Sequence, residues 1–578
     1  MNFEDSSVNE EEDIPGNFES CITSNDLILE RILYFMTFDD LLSSARINKR
    51  WNKLSRWELG RNRKCLAKIE KDLPCQDLLR LKEQFEGKSY IPYQGLSIGY
   101  SFGHANCKIV EDYRALESTE FWKTLPMKYL RVPLNQYTDC LAMQLLKLLM
   151  NQRSHEIQEL VVPSLYYRID DVPDFFDIER KIRPNWLPQL TSLGIGDIKD
   201  EWILLQLVAA APSIRNIYGH VRPHHLYKLF EMRKAKLITE FICDPASPTD
   251  AYTLLRFAEL KPKLQQLRIA DRSADKEPWS SFAASLLESS STSLYHLEIE
   301  LLDLILLTSS EKLSLLHLKH LHIKFNDRLD KQLGFFVLSK INFDFLFPNL
   351  TSCKISRSSC ESLYSQEQLE LIPVELMQSN FVCSTVRQIT LSDNCFNLWV
   401  ESECRSVGSL FPNVTCFQIE NCRQPGTYLK YTLAYWQNLE SICISTVEYP
   451  APITNFDVLF CGISKEEWTY LRSLEKTSPG FLQHVELVPS AWSLLHLKNL
   501  KSVKISVMHN DRCPVPRRDD FVLLSSLTGH LVFSKMSELT IDLVSSDCLS
   551  KAENACCLAF DDLRNFATIS EIKDKRQR

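Results

Sequence analysis

The chain has 578 residues, 44% of them hydrophobic, with a formal net charge of −8 and only 15 glycines. That length exceeds one compact core, so several domains or an elongated repeat array is expected, and scarce glycine argues against collagen-like or low-complexity sequence. The acidic balance gives no global reason to expect a nucleic-acid partner.

Residues 1–22 open the chain with an acidic stretch, MNFEDSSVNEEED, that has too few apolar groups to offset its ordering entropy and is expected to be a disordered tail. It also lacks the basic start and apolar run of a secretory signal. From Thr23 the pattern changes. TSNDLILERILYFMTFDDLL places Ile28 and Leu29, Ile32 and Leu33, then Phe35 and Met36 at helical spacing. Thr37-Phe38-Asp39-Asp40 matches a capping box and predicts a second short helix from Asp39. Ile47, Trp51 and Leu54 form a third apolar stripe, and Ile47 and Trp51 are expected to pack the core of this small unit and its interface. Three short helices over residues 23–62 bury too little to stand alone, so a partner surface is expected.

Residues 63–125 read as a connecting segment. LPCQDLLRLKEQF predicts a helix, and YIPYQGLSIGYSFGH a strand followed by a glycine-bearing turn. From Met127 a phrase L-x-x-L-x-I recurs. It runs through Met127-Leu130-Val132, Ile157-Leu160-Val162, Leu190-Leu193-Ile195, Leu264-Leu267-Ile269 and Leu294-Leu297-Ile299. It continues through Leu318, Leu350, Val386, Val414, Leu439 and Leu500 to Met536, with weaker copies near Ile214, Ile238 and Leu482. The last two apolar positions lie two apart, as on a strand with one buried face, and the first lies on the turn into it. Helical patterns intervene at 200–212, 251–260 and 279–288. One strand and one helix per repeat, stacked in register, predict an α/β horseshoe solenoid with parallel strands on the concave face and helices on the convex face. A doubly wound domain would instead show a glycine-rich phosphate loop after a strand, and none is present.

The series resembles the leucine-rich-repeat family over roughly residues 126–545, followed by a C-terminal cap and tail at 546–578. With that series in place, residues 24–54 resemble an F-box, whose pattern runs LPxELLxxIxxxLxxxDLLxxxxVCKRWxxL. Ile28 and Leu29 fall on the paired leucines, Ile32 and Met36 on the next apolar positions, Asp40-Leu41-Leu42 on DLL, and Ile47-Asn48-Lys49-Arg50-Trp51 on VCKRW. The pattern departs at its start, where Leu-Pro is replaced by Ser24-Asn25 and the glutamate by Leu27.

The resemblance implies a non-catalytic substrate receptor of an SCF-type ubiquitin ligase. Its F-box would dock a Skp-family adaptor, and through it a cullin-RING ligase, using Ile28, Leu29, Ile32, Met36, Asp40, Leu41, Leu42, Ile47 and Trp51. The repeats would hold an unidentified protein substrate. Side chains between the buried repeat positions are expected to face the concave side, among them Arg268, His296, Glu298, His322, Lys324, Lys354, Gln418 and Glu420. Their mixed signs suit a protein surface better than a phosphate backbone. The departure at Ser24-Asn25 motivates an alternative: a leucine-rich-repeat interaction scaffold whose degenerate F-box does not engage a cullin ligase.

Other chemistry is weaker. The 19 cysteines are scattered without a CxxC pair, so reduced thiols in an intracellular protein, cytoplasmic or nuclear, are expected, and the N-x-T matches at Asn349 and Asn413 then count as chance. No apolar run of about 18 residues is present to span a bilayer. His220, His224 and His225 flank Pro223, which disfavours an i,i+4 zinc pair on one helix, so surface or capping histidines are expected. Cys556-Cys557 reads as part of a buried amphipathic segment. No GxSxG, HExxH or P-loop pattern appears, and no metal, cofactor or catalytic residue is assigned.

Overall fold

Each L-x-x-L-x-I phrase within the described residues becomes a turn leading into a parallel strand. In the computed structural model the described residues are 26–61, 66–69, 74–85, 91–98, 125–131, 134–135, 153–166, 185–198, 201–243, 251–269, 277–308, 314–326, 338–358, 381–393, 401–420, 433, 435–446, 470, 473–474, 476–479, 497–509 and 538–545. The expected readings of Ser24-Asn25, Val132, Leu482, Met536 and Cys556-Cys557 lie outside them. The chain divides into two compact units, Met1–Val221 with Lys228–Ile238, and Arg222–Tyr227 with Thr239–Arg578.

The first unit begins with helices α1 (Asp26–Phe35), α2 (Phe38–Ser44) and α3 (Lys49–Arg61). Strand β1 (Leu66–Ile69), helix α4 (Pro74–Phe85) and strands β2 (Gly95–Ile98), β3 (Tyr129–Arg131), β4 (Leu134–Asn135), β5 (Glu159–Tyr166) and β6 (Ser192–Ile198) follow. Helix α5 (Glu201–Ala210) and strand β7 (Asn216–Gly219) complete the set. The sheet runs β1-β2-β3-β5-β6-β7, with β4 pairing β5, and its pairs are parallel. Helix α4 confirms the reading of LPCQDLLRLKEQF. Strand β1 was not anticipated: four residues carry no readable period.

After α6 (Pro223–Glu231), the second unit strings together β8 (Glu240–Cys243), α7 (Ala251–Glu259), β9 (Gln266–Ile269), α8 (Glu277–Ser290), β10 (His296–Glu300), α9 (Leu301–Thr308) and β11 (His320–Asn326). Then come α10 (Phe343–Leu346), β12 (Ser352–Ser358), β13 (Gln388–Asp393), α11 (Glu401–Leu410), β14 (Cys416–Glu420), β15 (Ser441–Thr446), β16 (Ser502–His509) and β17 (Glu538–Ser545). Among the described residues its ten strands are parallel and each lies beside its neighbours in sequence, in order from β8 to β17. The helical patterns expected at 200–212, 251–260 and 279–288 are α5, α7 and α8.

Two kinds of bonding explain the phrase. Its apolar positions are the core: those whose burial is described are 4% exposed or less, each side chain contributing roughly 1.5–3 kcal/mol by leaving water. Between the first and second positions, two consecutive N–H groups donate to one carbonyl of the preceding phrase. Thus Lys319 and His320 donate to Tyr295 O, Thr351 and Ser352 to Lys319 O, and Arg387 and Gln388 to Thr351 O. The same relay recurs in both units, for example from Thr191 and Ser192 to Gln158 O. It satisfies the backbone at each strand start and fixes the register of the next.

The phrase also extends further back than its sequence signature. Three residues before its first position sit Leu187, Phe347, Phe411, Trp436 and Leu497, all buried. The first-position N–H often closes a turn there, as Leu350 N onto Phe347 O at 3.0 Å. Trp436 stacks edge-on to Phe417 at 4.8 Å and donates its Nε1 to Phe411 O at 2.8 Å. The intervening asparagines are structural. Asn349 Nδ2 donates to Leu316 O and Asn413 Nδ2 to Ser384 O, while Thr351 and Thr415 hydroxyls donate to Lys319 O and Arg387 O. Both N-x-T matches are therefore part of the repeat's own bonding.

Gly219 marks a tight point. Its φ is +92°, and a Cβ there would lie 2.1 Å from Ile195 O on β6. Of the three histidines near Pro223, His225 is buried rather than on the surface, and its Nδ1 accepts from Arg222 N at 3.0 Å. Pro223 is the first residue of α6, where a missing N–H costs nothing.

Candidate functional site

Two surfaces collect the residues expected to carry function. The first is the three-helix unit. Leu29 and Leu33 of α1, Leu41 of α2 and Leu54 and Leu59 of α3 form its buried core, with Met36, Leu42 and Trp51 packed against it. Thr37 starts α2 one residue earlier than expected and forms the full capping box: Asp40 N donates to Thr37 Oγ1 at 3.2 Å, and Thr37 N to Asp40 Oδ2 at 3.3 Å. Asn48 caps α3, its Oδ1 accepting from Arg50 N and Trp51 N at 3.0 and 2.9 Å. Arg50, its side chain 39% exposed, ties α3 to α1 through Asp26 at 2.6 Å.

The core uses only one stripe of α1. Ile28 is 40% exposed, Ile32 37% and Phe35 66%, a second apolar stripe turned to solvent. Ile47 was expected to pack both the core and its interface, and it does not reach the core. It lies on the bend between α2 and α3 and is 61% exposed. Leu29 and Leu41, grouped with the docking residues in the sequence, are fully buried. Asp40 is exposed but occupied by the cap.

The second surface is the polar face of β9–β14. Parallel register puts Arg268, Glu298, His322, Lys354, Thr390 and Gln418 in one row across six strands. Glu298 is buried and sits where three groups converge: Arg268 Nε at 2.6 Å, Lys324 Nζ at 2.5 Å and His322 Nδ1 at 3.3 Å. Burial alone pushes its carboxyl up, but hydrogen bonds and charge from His322 and Lys324 prevail and hold it at about 2. The other ring nitrogen of His322 lies 2.7 Å from Ser356 Oγ.

His296 and His320 stack in register on β10 and β11, their ring centroids 6.2 Å apart. Burial lowers both below the ordinary imidazole range, assisted at His296 by His320, His322 and Arg268 against Glu298, and at His320 by Lys319. Further along, Lys354 on β12 crosses β13, where Thr390 and Ser392 are short, to pair with Glu420 on β14. Gln418 Nε2 donates to the other oxygen of Glu420 at 2.9 Å. All eight sequence-assigned face residues are thus brought onto one sheet face, six of them in two ion-pair clusters.

Among the described residues no group of three or more His, Cys, Asp and Glu is placed to hold a metal ion, and no helix is long and apolar enough to cross a membrane. Cys353 and Cys383 are buried in the core, and burial pushes their thiols up, away from reactivity. Neither a family model nor a curated protein matches this chain. The chain is a mixed α/β protein built on parallel sheets.

Proposed function

We propose that the chain is the substrate-recognition subunit of an SCF-type ubiquitin ligase, with residues 23–62 as an F-box that docks a Skp-family adaptor and the repeats as a leucine-rich-repeat horseshoe that holds the protein to be ubiquitylated. The observation that carries this reading is the surplus apolar surface of the three-helix unit. Its core is already filled by leucines, yet Ile32, Phe35 and Ile47 remain exposed beside it. Exposed aliphatic and aromatic groups on a unit this small are stabilised by covering them with a partner. The sequential parallel order of the strands and the repeated two-to-one carbonyl relay favour a stacked array, whose polar face is wide and rich in ion pairs.

The mechanism is positional. A substrate bound on the repeats is held at high effective concentration near a charged ubiquitin-conjugating enzyme elsewhere in the assembly. Co-expression with a Skp-family adaptor and a cullin is expected to yield a complex containing all three. Recovery of stable complexes without adaptor or cullin would favour the scaffold reading that the Ser24-Asn25 departure motivates.

A further inference from the structure

We propose that the acidic run Glu10-Glu11-Glu12-Asp13 docks, within one molecule, on the basic face of α3 and keeps other acidic molecules off it. Lys49, Lys53, Arg56 and Trp57, at spacings of four, three and one, share one face of α3, and all are exposed. Arg46 is exposed on the bend just ahead of them. The opposite face of the helix is taken by the core, through Trp51, Leu54 and Leu59. No carboxylate on α3 answers these cations, because its one acid, Glu58, is buried. Asp26 of α1 is engaged by Arg50, and Asp40 of α2 by its own cap. Arg46, Lys49 and Lys53 form no ion pair among the described residues. Like charges four apart on a helix repel, so an anion laid along Lys49 and Lys53 relieves that repulsion.

The chain carries that anion within reach. Residues 1–20, outside the described ones, hold seven acids and no Lys or Arg, with four of the acids consecutive at 10–13 and Ile14 next. The face of α3 offers the complement in the same order, cations and then an apolar ring at Trp57. The Asp26–Arg50 pair, at 2.6 Å, holds the start of α1 against the first turn of α3, so the acidic run is tethered beside its site. Asp13 lies thirteen residues before Asp26, a reach of up to about 43–47 Å, whereas Lys49 to Trp57 spans only about 12 Å. Exposed ion pairs are individually weak, but a tether gives them an effective concentration of roughly millimolar, enough to prevail over dilute competitors.

Zero-length carbodiimide coupling of the full chain at low salt, read by peptide mass spectrometry, is expected to join residues 10–13 to Lys49 or Lys53 within one molecule. Lys236, exposed elsewhere in the same unit, is expected to couple about tenfold less or not at all. The second readout is fluorescence anisotropy of a fluorescein-labelled polyglutamate. Neutralising the run with Glu10→Gln, Glu11→Gln, Glu12→Gln and Asp13→Asn is expected to tighten its binding about tenfold or more. Adding Lys49→Gln and Lys53→Gln is expected to abolish that gain. Coupling no stronger than to Lys236, coupling only between two copies, unchanged polyglutamate affinity on neutralising the run, or a gain that survives loss of both lysines would each overturn the proposal. The proposal stands apart from the ligase reading, since coupling needs no adaptor and leaves Ile32 and Ile47 untouched.

Discussion

Two phenylalanines two residues apart isolate what holds a repeat together. Phe347 occupies the buried position three before Leu350 and is 1% exposed, its ring 5.9 Å from that of Phe343, which in turn meets Phe411 at 5.6 Å. Phe345 sits on the same turn with its ring in solvent. Phe347→Ala removes a ring from a packed layer, leaves a cavity shared by successive repeats, and should cost about 3–5 kcal/mol. Phe345→Ala should change stability by about 0.5 kcal/mol or less. Urea unfolding of the full chain, followed by circular dichroism, measures both through the shift in midpoint. Equal losses in the two variants, or a loss below about 1 kcal/mol for Phe347→Ala, would refute the extended-phrase account of the core.

Three further outcomes are expected. Because Glu298 is held at about 2 against a usual 4.5, its contribution is complete above pH 4.5 and is lost as pH falls toward 2. Urea midpoints measured across that window should fall, and the fall should be shallower in Glu298→Gln. Lowered His296 and His320 act in the same direction at higher pH: each binds its proton less readily in the fold than in the unfolded chain, so stability begins to decline as pH falls below 6.5, and a His296→Gln, His320→Gln double variant should flatten that part of the profile. Gly219→Ala should lower the thermal midpoint clearly, since the added Cβ meets Ile195 O and the residue is held at positive φ; a midpoint matching wild type would contradict the close approach of β6 and β7.

Much of the fold was legible because each repeat advertises itself locally. The phrase positions give a spacing of three then two, and burial enforces that spacing wherever the strands are described. The capping box at Thr37 and Asp40 was readable for the same reason, since both partners lie within one turn. What sequence did not reveal depends on distance along the chain. Arg50 finds Asp26 only once α1 and α3 pack, and Glu298 meets Arg268, His322 and Lys324 only when three strands separated by variable connections come into register. Ile47 fitted a helical stripe, but α3 begins at Lys49, after the Asn48 cap, so its side chain leaves the core. The buried aromatics Phe347, Phe411 and Trp436, which open the turns Phe-Pro-Asn and Trp-Gln-Asn, lie three residues ahead of the six-residue phrase and so outside its spacing of three then two.

The placement of Leu41 in the core also decides which substitution tests docking, since Leu41→Asp would unfold the small helical unit rather than probe its surface. Ile32→Asp with Ile47→Asp changes only exposed positions. The direct measurement is calorimetric titration of a purified Skp-family adaptor into the full chain, comparing wild type with that double variant at matched thermal stability. Binding by wild type that is lost or weakened at least about a hundredfold in the double variant, the effect of two buried charges at an interface, is the expected result. No binding by wild type, or equal affinity in the variant, would contradict the claim that this apolar surface is an adaptor dock.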